Sequence, residues 1–330
     1  MKSVFWIHSH ITFIITSEII KRKKLDDIVL IVARNYHLPY ELDCKRIRIY
    51  ISPFCRHAER NNNLVDRYNP FQTRINVKKC CKFYENILGN QNFQLFIPTS
   101  FEHAIALLIS MNNCKSYYYI EEGMAAYICN QFTGQRNYLY RIASKYIYNV
   151  PPMGFYYITS EKFCGTIGFS SQSFSWSPNN EIINLSWQGD KKYNESHLLV
   201  LGLLKETTSK LVEIYTKVCS YFETLGDIKV YFKFHPSTKL SPEKALAIIN
   251  VFKKSKIVEF QEINDDTILE FSFAYTNSTI YSVSNCSSVQ LYLSLFNCKI
   301  KELSIKDNRV VEKVKNYNEI ISEQCQRIKL

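Results

Sequence analysis

The chain has no Cys-x-x-Cys pair and no Cys/His spacing suited to zinc, although 11 cysteines are spread along its 330 residues. An odd number without paired spacing argues against a disulfide framework and fits free thiols, mostly buried, in a reducing cytoplasm. No small-residue cleavage site follows the apolar stretch from Val4 to Ile20. His8, Ser9, His10, Thr12, Thr16, Ser17 and Glu18 interrupt that stretch, so it is expected to be a buried strand followed by a helix rather than a signal peptide or membrane anchor. No internal repeat is present, and neither an RNP sequence nor a zinc finger marks a nucleic-acid binder, so nucleic acid is not an expected partner.

What is present is a core and a charge. Hydrophobic residues make up 46% of the chain, and 41 Lys and Arg against 30 Asp and Glu give a net charge of +11. At this length two domains are expected, and the positive balance favours an anionic partner.

Short β-branched and aromatic runs alternate with helix-length amphipathic segments, the pattern of parallel βαβ units. Strands are predicted at 3–7, 27–33, 46–51, 93–97 and 115–120, with helices at 12–23, 72–88 and 101–111, which together make a Rossmann-like first half. From about Ala126 to Ser186 the chain is aromatic, polar and irregular and reads as junction loops. A second set follows, with strands at 197–201, 228–234, 256–260, 279–283 and 299–303, helices at 205–225, 242–254 and 289–295, and a C-terminal helix of mixed charge. The expected division is 1–165 and 166–330.

In open parallel sheets, ligands bind beyond the carboxyl ends of the strands, so polar groups just after a strand matter most. Three such places stand out. Glu121-Glu122-Gly123 ends the strand at 115–120, where a carboxylate next to a flexible glycine is placed to take a proton from a hydroxyl; a solvated acidic turn is the plainer alternative. Lys233-Phe234-His235-Pro236 ends the strand at 228–234. There an imidazole held by a proline turn suits proton donation to a departing phosphate, and Lys233 lies one pleat away; the alternative is a structural histidine. Ser284-Asn285-Cys286-Ser287-Ser288 joins a strand to a helix, where hydroxyls and free amides cap the helix or bind an anion. His8, His10, Arg34 and Asn35 end the first two strands, with packing or capping roles as their simpler reading. Tyr117 to Tyr119 read first as core.

The order acidic-acidic-Gly, His-Pro, Ser-Ser resembles the motif set of bacterial sialyltransferases with the GT-B fold, including the lipooligosaccharide sialyltransferases of glycosyltransferase family 52 and the capsular polysialyltransferases. Phe5-Trp6-Ile7-His8-Ser9-His10 and Arg34-Asn35 look like that group too. The resemblance implies an α/β GT-B fold with two Rossmann-like domains facing each other across a cleft, an N-terminal acceptor side and a C-terminal nucleotide-sugar side. It implies a cytoplasmic inverting enzyme that moves sialic acid from CMP-sialic acid to a surface glycan such as lipooligosaccharide, O-antigen or capsule. Glu122, or else Glu121, would be the base, and His235 the acid or electrostatic partner of the phosphate. Ser287 and Ser288, with Asn285 and Lys233 nearby, would hold that phosphate. Glu270 is the candidate for the ribose, although Asp265 and Asp266 lie close and the proline expected before the acidic residue is missing. No metal or other cofactor is expected, and no Asp-x-Asp triplet occurs. A lipid-linked acceptor would bring the enzyme to the inner face of the membrane, with basic residues near the C-terminus touching acidic lipid. The competing readings are a GT-B transferase using another CMP-, UDP- or GDP-linked sugar and a non-catalytic basic protein that binds nucleotides or glycans.

Overall fold

A computed structural model describes the chain except at residues 35, 43, 55–63, 65–68, 128–141, 143, 152, 187, 202–205, 235–240, 265–266, 284–287, 305–324 and 330. The chain divides into two compact units, Met1–Leu185 and Ser186–Leu330.

The first unit is built on a seven-stranded sheet of β1 (Lys2–Ile7), β2 (Asp27–Val32), β3 (Arg46–Ile51), β4 (Phe93–Ile97), β5 (Cys114–Ile120), β6 (Phe163–Gly168) and β7 (Asn180–Ile182). The order is β3-β2-β1-β4-β5-β6-β7, and every pairing is parallel. Parallel strands need crossovers, and the helices that supply them cover the sheet, so the central strands are apolar on both faces. Every residue of β1 is buried. Helix α1 (His10–Lys23) starts on a capping box: the Ser9 side chain accepts from the Thr12 N–H while the Thr12 side chain accepts from the Ser9 N–H. Helix α2 (Pro70–Leu88) starts with proline at its first position and the Asn69 side chain as cap. It stops at Gly89, whose φ of 63° suits a residue without Cβ. Helix α3 (His103–Ser110) completes the crossover from β4 to β5.

The second unit has a six-stranded sheet of β8 (His197–Val200), β9 (Lys229–Lys233), β10 (Glu259–Glu262), β11 (Thr279–Ser282), β12 (Lys299–Ser304) and β13 (Cys325–Lys329). Its order is β10-β9-β8-β11-β12-β13, again wholly parallel. This is the 3-2-1-4-5-6 order of a Rossmann sheet, and the first six strands of the other unit follow it as well. Helices α4 (Thr208–Glu223), α5 (Pro242–Phe252), the single turn α6 (Leu269–Ser272) and α7 (Ser288–Leu295) lie between the strands. Leu211, Ile214, Tyr215, Val218 and Phe222 of α4 pack with Val230, Phe232, Ile248, Phe252 and Tyr281 in one core. Those α4 positions recur at three- and four-residue intervals, the stripe an amphipathic helix turns inward.

Three expectations change. The division lies at Leu185/Ser186 rather than 165/166, because β6 and β7 extend the first sheet across the stretch expected to be loops. Of the stretch expected to form a C-terminal helix, 305–324 lie outside the described residues, and 325–329 are strand: Ile300 to Ser304 of β12 pair in register with Cys325 to Lys329, so β13 is a sixth strand. The strand expected at 256–260 begins instead at Glu259. Among the described residues no helix is long and apolar enough to cross a membrane.

Candidate functional site

In each sheet the strand order reverses direction once. In the first unit the reversal falls between β1 and β4, where consecutive crossovers leave on opposite faces and open a crevice at the carboxyl edge. Four strands deliver charged side chains to that edge. His8 follows β1, Arg34 follows β2, Glu102 follows β4, and Glu121 and Glu122 follow β5.

Thr12 fixes the turn that carries His8. Its hydroxyl oxygen accepts from the backbone N–H groups of His8 and Ser9, both at 3.1 Å, and its own proton goes to the Ser9 carbonyl at 2.9 Å. The His8 ring is 2% exposed, and its Nε2 lies 2.9 Å from Oε2 of Glu122, whose side chain is 17% exposed. The contact is an ion pair only when His8 is protonated, and neither Oε2 of Glu122 nor Nδ1 of His8 completes hydrogen-bond geometry among the described residues.

Successive residues at a strand end point to opposite sides, and the two glutamates show it. Glu121 is fully buried. It accepts from the Tyr127 hydroxyl at 2.7 Å and from the Phe169 N–H at 2.8 Å. Burial and the Glu121 charge both hold the Tyr127 hydroxyl well above the usual tyrosine range, so it stays a donor. Gly168 makes room for this arrangement: a Cβ there would lie 2.0 Å from Oγ of Ser173 and 2.7 Å from Oε2 of Glu121. Glu121 is thus consumed by the fold, and Glu122 is the carboxylate with access to solvent. Gly123 follows with φ 144°, a turn that L side chains rarely adopt. Tyr156 is buried against Tyr119, Phe174 and Trp176. Its pKa is raised by burial first and then by the charges of Glu122, Tyr119 and Glu121, which puts it beside both carboxylates.

A second ionic pair crosses the same edge. Nη2 of Arg34 lies 2.5 Å from Oε1 of Glu102, whose side chain is 5% exposed. Arg34 has φ 60°, the left-handed region that costs a side-chain-bearing residue about 1–2 kcal/mol. The pair spans the end of β1, and the His8–Glu122 pair spans the end of β4, so the two interleave. Glu102 had no place among the predicted site residues; its position in the segment between β4 and α3, at the N-cap of that helix, was the available signal. Tyr117 and Tyr119 are wholly buried and belong to the core. His10 sits at the start of α1, its Nδ1 2.9 Å from the Tyr36 hydroxyl.

In the second unit the reversal lies between β8 and β11. Ser284, Asn285, Cys286 and Ser287 follow β11 there but lie outside the described residues, as does His235 after β9; Ser288 is the first residue of α7. Lys233 ends β9, half-buried, and its ammonium donates to the Thr267 carbonyl. Glu270 in α6 is buried, and burial raises its pKa despite its own backbone hydrogen bond and the nearby Lys233 charge. Lys233 and Glu270 are therefore neighbours, as the sequence positions alone did not reveal.

Sequence comparison adds nothing to this geometry: no family model and no curated protein matches the chain. Structural comparison does. The S. aureus MnaA–UDP co-structure superposes with a TM-score of 0.53 at 11% identity, over 98% of this chain and 83% of that one. UDP-GlcNAc 2-epimerase from Methanocaldococcus jannaschii gives 0.52 at 12% identity, over 100% and 89%. The same enzyme solved with UDP-GlcNAc and UDP gives 0.50 over the same shares. The fold is GT-B. At such low identity this likeness concerns architecture, and the GT-B fold leaves open which chemistry its edge residues perform.

Proposed function

We propose that this chain is a nucleotide-sugar enzyme that transfers a sugar from a pyrimidine nucleotide, with a UDP-linked donor as the first reading. The observation that carries the proposal is the partly exposed Glu122 carboxylate held 2.9 Å from a buried imidazole at the carboxyl edge of a Rossmann sheet. Glu122 takes the proton of an acceptor hydroxyl, and the oxygen attacks the anomeric carbon. The bond from that carbon to the phosphate oxygen breaks with inversion, and the nucleotide departs with the bonding pair. His8 orients the carboxylate and spreads the charge it gains and loses. Positioned acid–base groups of this kind contribute about 10²–10⁴-fold to rate.

The second unit supplies the nucleotide side of the reaction. The Ser284–Ser288 segment follows β11 at the point where the strand order reverses, where hydroxyls and helix amides suit a phosphate. His235 would neutralise the leaving phosphate, Lys233 would add positive charge, and Glu270 would meet the ribose. A uridine nucleotide is preferred because two of the similar structures named above were solved with UDP or with UDP-GlcNAc and UDP. CMP-sialic acid is the second reading, favoured by the Glu121-Glu122-Gly123, His235-Pro236 and Ser287-Ser288 motif set.

Thermal stabilisation by UDP, CMP and GDP, followed by product analysis with the matching nucleotide sugars, tests both. Stabilisation by UDP and release of UDP with a transferred sugar supports the first reading. Selective stabilisation by CMP supports the second, recovery of an epimerised donor replaces transfer with chemistry on the donor itself, and indifference to all three nucleotides overturns the proposal.

A further inference from the structure

Helix α2 joins the edge strand β3 to β4 in the first unit, and its outer face has an unusual composition. Phe71 is 79% exposed and Ile75 47% exposed. Arg74, Lys78, Lys79 and Lys82 are exposed on the same helix. At about 100° per residue these six side chains fall within an arc of about 140° and a length of about 17 Å. Thr73, Val77, Cys80, Tyr84 and Ile87 occupy the opposite, buried face. No acidic residue interrupts the arc before Glu85.

The arc borders an open depression of about 770 Å³, walled on one side by Arg74, Lys78 and Glu85 and on the other by Lys145 and Tyr146. Tyr146 is 66% exposed, and Nζ of Lys145 lies 5.4 Å from its ring centre. Both belong to a π-helical turn, Ser144–Tyr148, a rare backbone form that often accompanies function. Of the charged groups that line the depression, three are cationic and one is anionic. Clefts of this size suit a small molecule or a headgroup.

We infer that the α2 face and the Arg74–Lys78–Lys145 depression dock the protein on an anionic lipid bilayer. Exposed bulky apolar side chains set among lysines match the chemistry of a membrane surface: the cations meet the phosphates while Phe71 and Ile75 enter the acyl boundary. A soluble acidic glycan would satisfy the cations but would leave Phe71 and Ile75 in water. The inference stands apart from the proposed reaction, since none of these residues belongs to the His8–Glu122 or Arg34–Glu102 pair.

The test is co-sedimentation of the full chain with phosphatidylglycerol-containing vesicles and with pure phosphatidylcholine vesicles, at low and high salt. The wild type should bind the anionic vesicles, lose binding as salt rises, and ignore phosphatidylcholine. The triple variant K78E/K79E/K82E should lose at least about a hundredfold in affinity, and F71S about tenfold. Because all four side chains are exposed, melting temperatures should be unchanged and report that the variants are folded. Equal sedimentation of wild type and triple variant overturns the inference. So does binding to a soluble acidic oligosaccharide, abolished by K78E/K79E/K82E, without binding to vesicles.

Discussion

The two sheets follow one strand order, yet their carboxyl edges carry different equipment. In the first unit the edge displays charges that pair across intervening strands, His8 with Glu122 and Arg34 with Glu102. In the second, the described edge offers a half-buried lysine held by a carbonyl and a buried glutamate whose ionisation is disfavoured. The scaffold sets where side chains emerge; the residues placed at each strand end decide what that position can do. A pair that exchanges protons with a substrate needs access and an ionised carboxylate. A group that holds a ligand through hydrogen bonds can be buried and neutral.

The sharpest way to break the comparison is to remove the charge from the exposed carboxylate. E122Q should lower turnover by about 10²–10⁴-fold with little change in melting temperature, measured as nucleotide release alongside thermal unfolding. Next in size is G168A, where the added methyl meets Ser173 Oγ and the Glu121 carboxylate. It should cost ~3 kcal/mol in denaturant unfolding, and S173A in the same chain should return part of that loss. E121Q places an amide against the donors from Tyr127 and Phe169 and should cost about 1–3 kcal/mol of stability, with a smaller effect on turnover than E122Q. An equal loss of turnover from both glutamine variants would erase the distinction between them.

Much of this arrangement was legible in the sequence. Short β-branched and aromatic runs located β1 to β5, and amphipathic segments located the helices around them. The turn Glu121-Glu122-Gly123 stood out because a carboxylate pair follows a buried strand. Other features were hidden for physical reasons. β6 contains Gly165 and Gly168, which break an apolar run, and β7 has three residues. β13, Cys-Gln-Arg-Ile-Lys, is too short and too polar to separate from a helix end until β12 is seen pairing with it. The partnership of His8 with Glu122 joins residues far apart in the chain, and only the order β1-β4-β5 brings them to one edge. Which glutamate is buried depends on Tyr127, the Phe169 N–H and the space left by Gly168, none of which a local pattern reveals.

The smallest effect expected is at Glu270. Its folded-state pKa is raised above the ordinary carboxylate value of about 4.3. Between these values the folded state binds more proton than the unfolded chain, so stability is fullest below about pH 4.3 and declines as pH rises towards the folded value. E270Q should therefore melt higher than wild type at neutral pH and match it in acid, a difference read from melting temperatures across a pH series. A constant offset at every pH would place the cause in packing instead of charge.

The central claim is that Glu122 serves a nucleotide-sugar reaction while Glu121 serves the fold. Nucleotide release from a UDP-linked sugar, followed for wild type, E122Q and E121Q at matched UDP saturation, tests it most directly. The account predicts release by wild type, retained UDP binding with nearly abolished release by E122Q, and substantial release by whatever fraction of E121Q remains folded. Undiminished release by E122Q would contradict it.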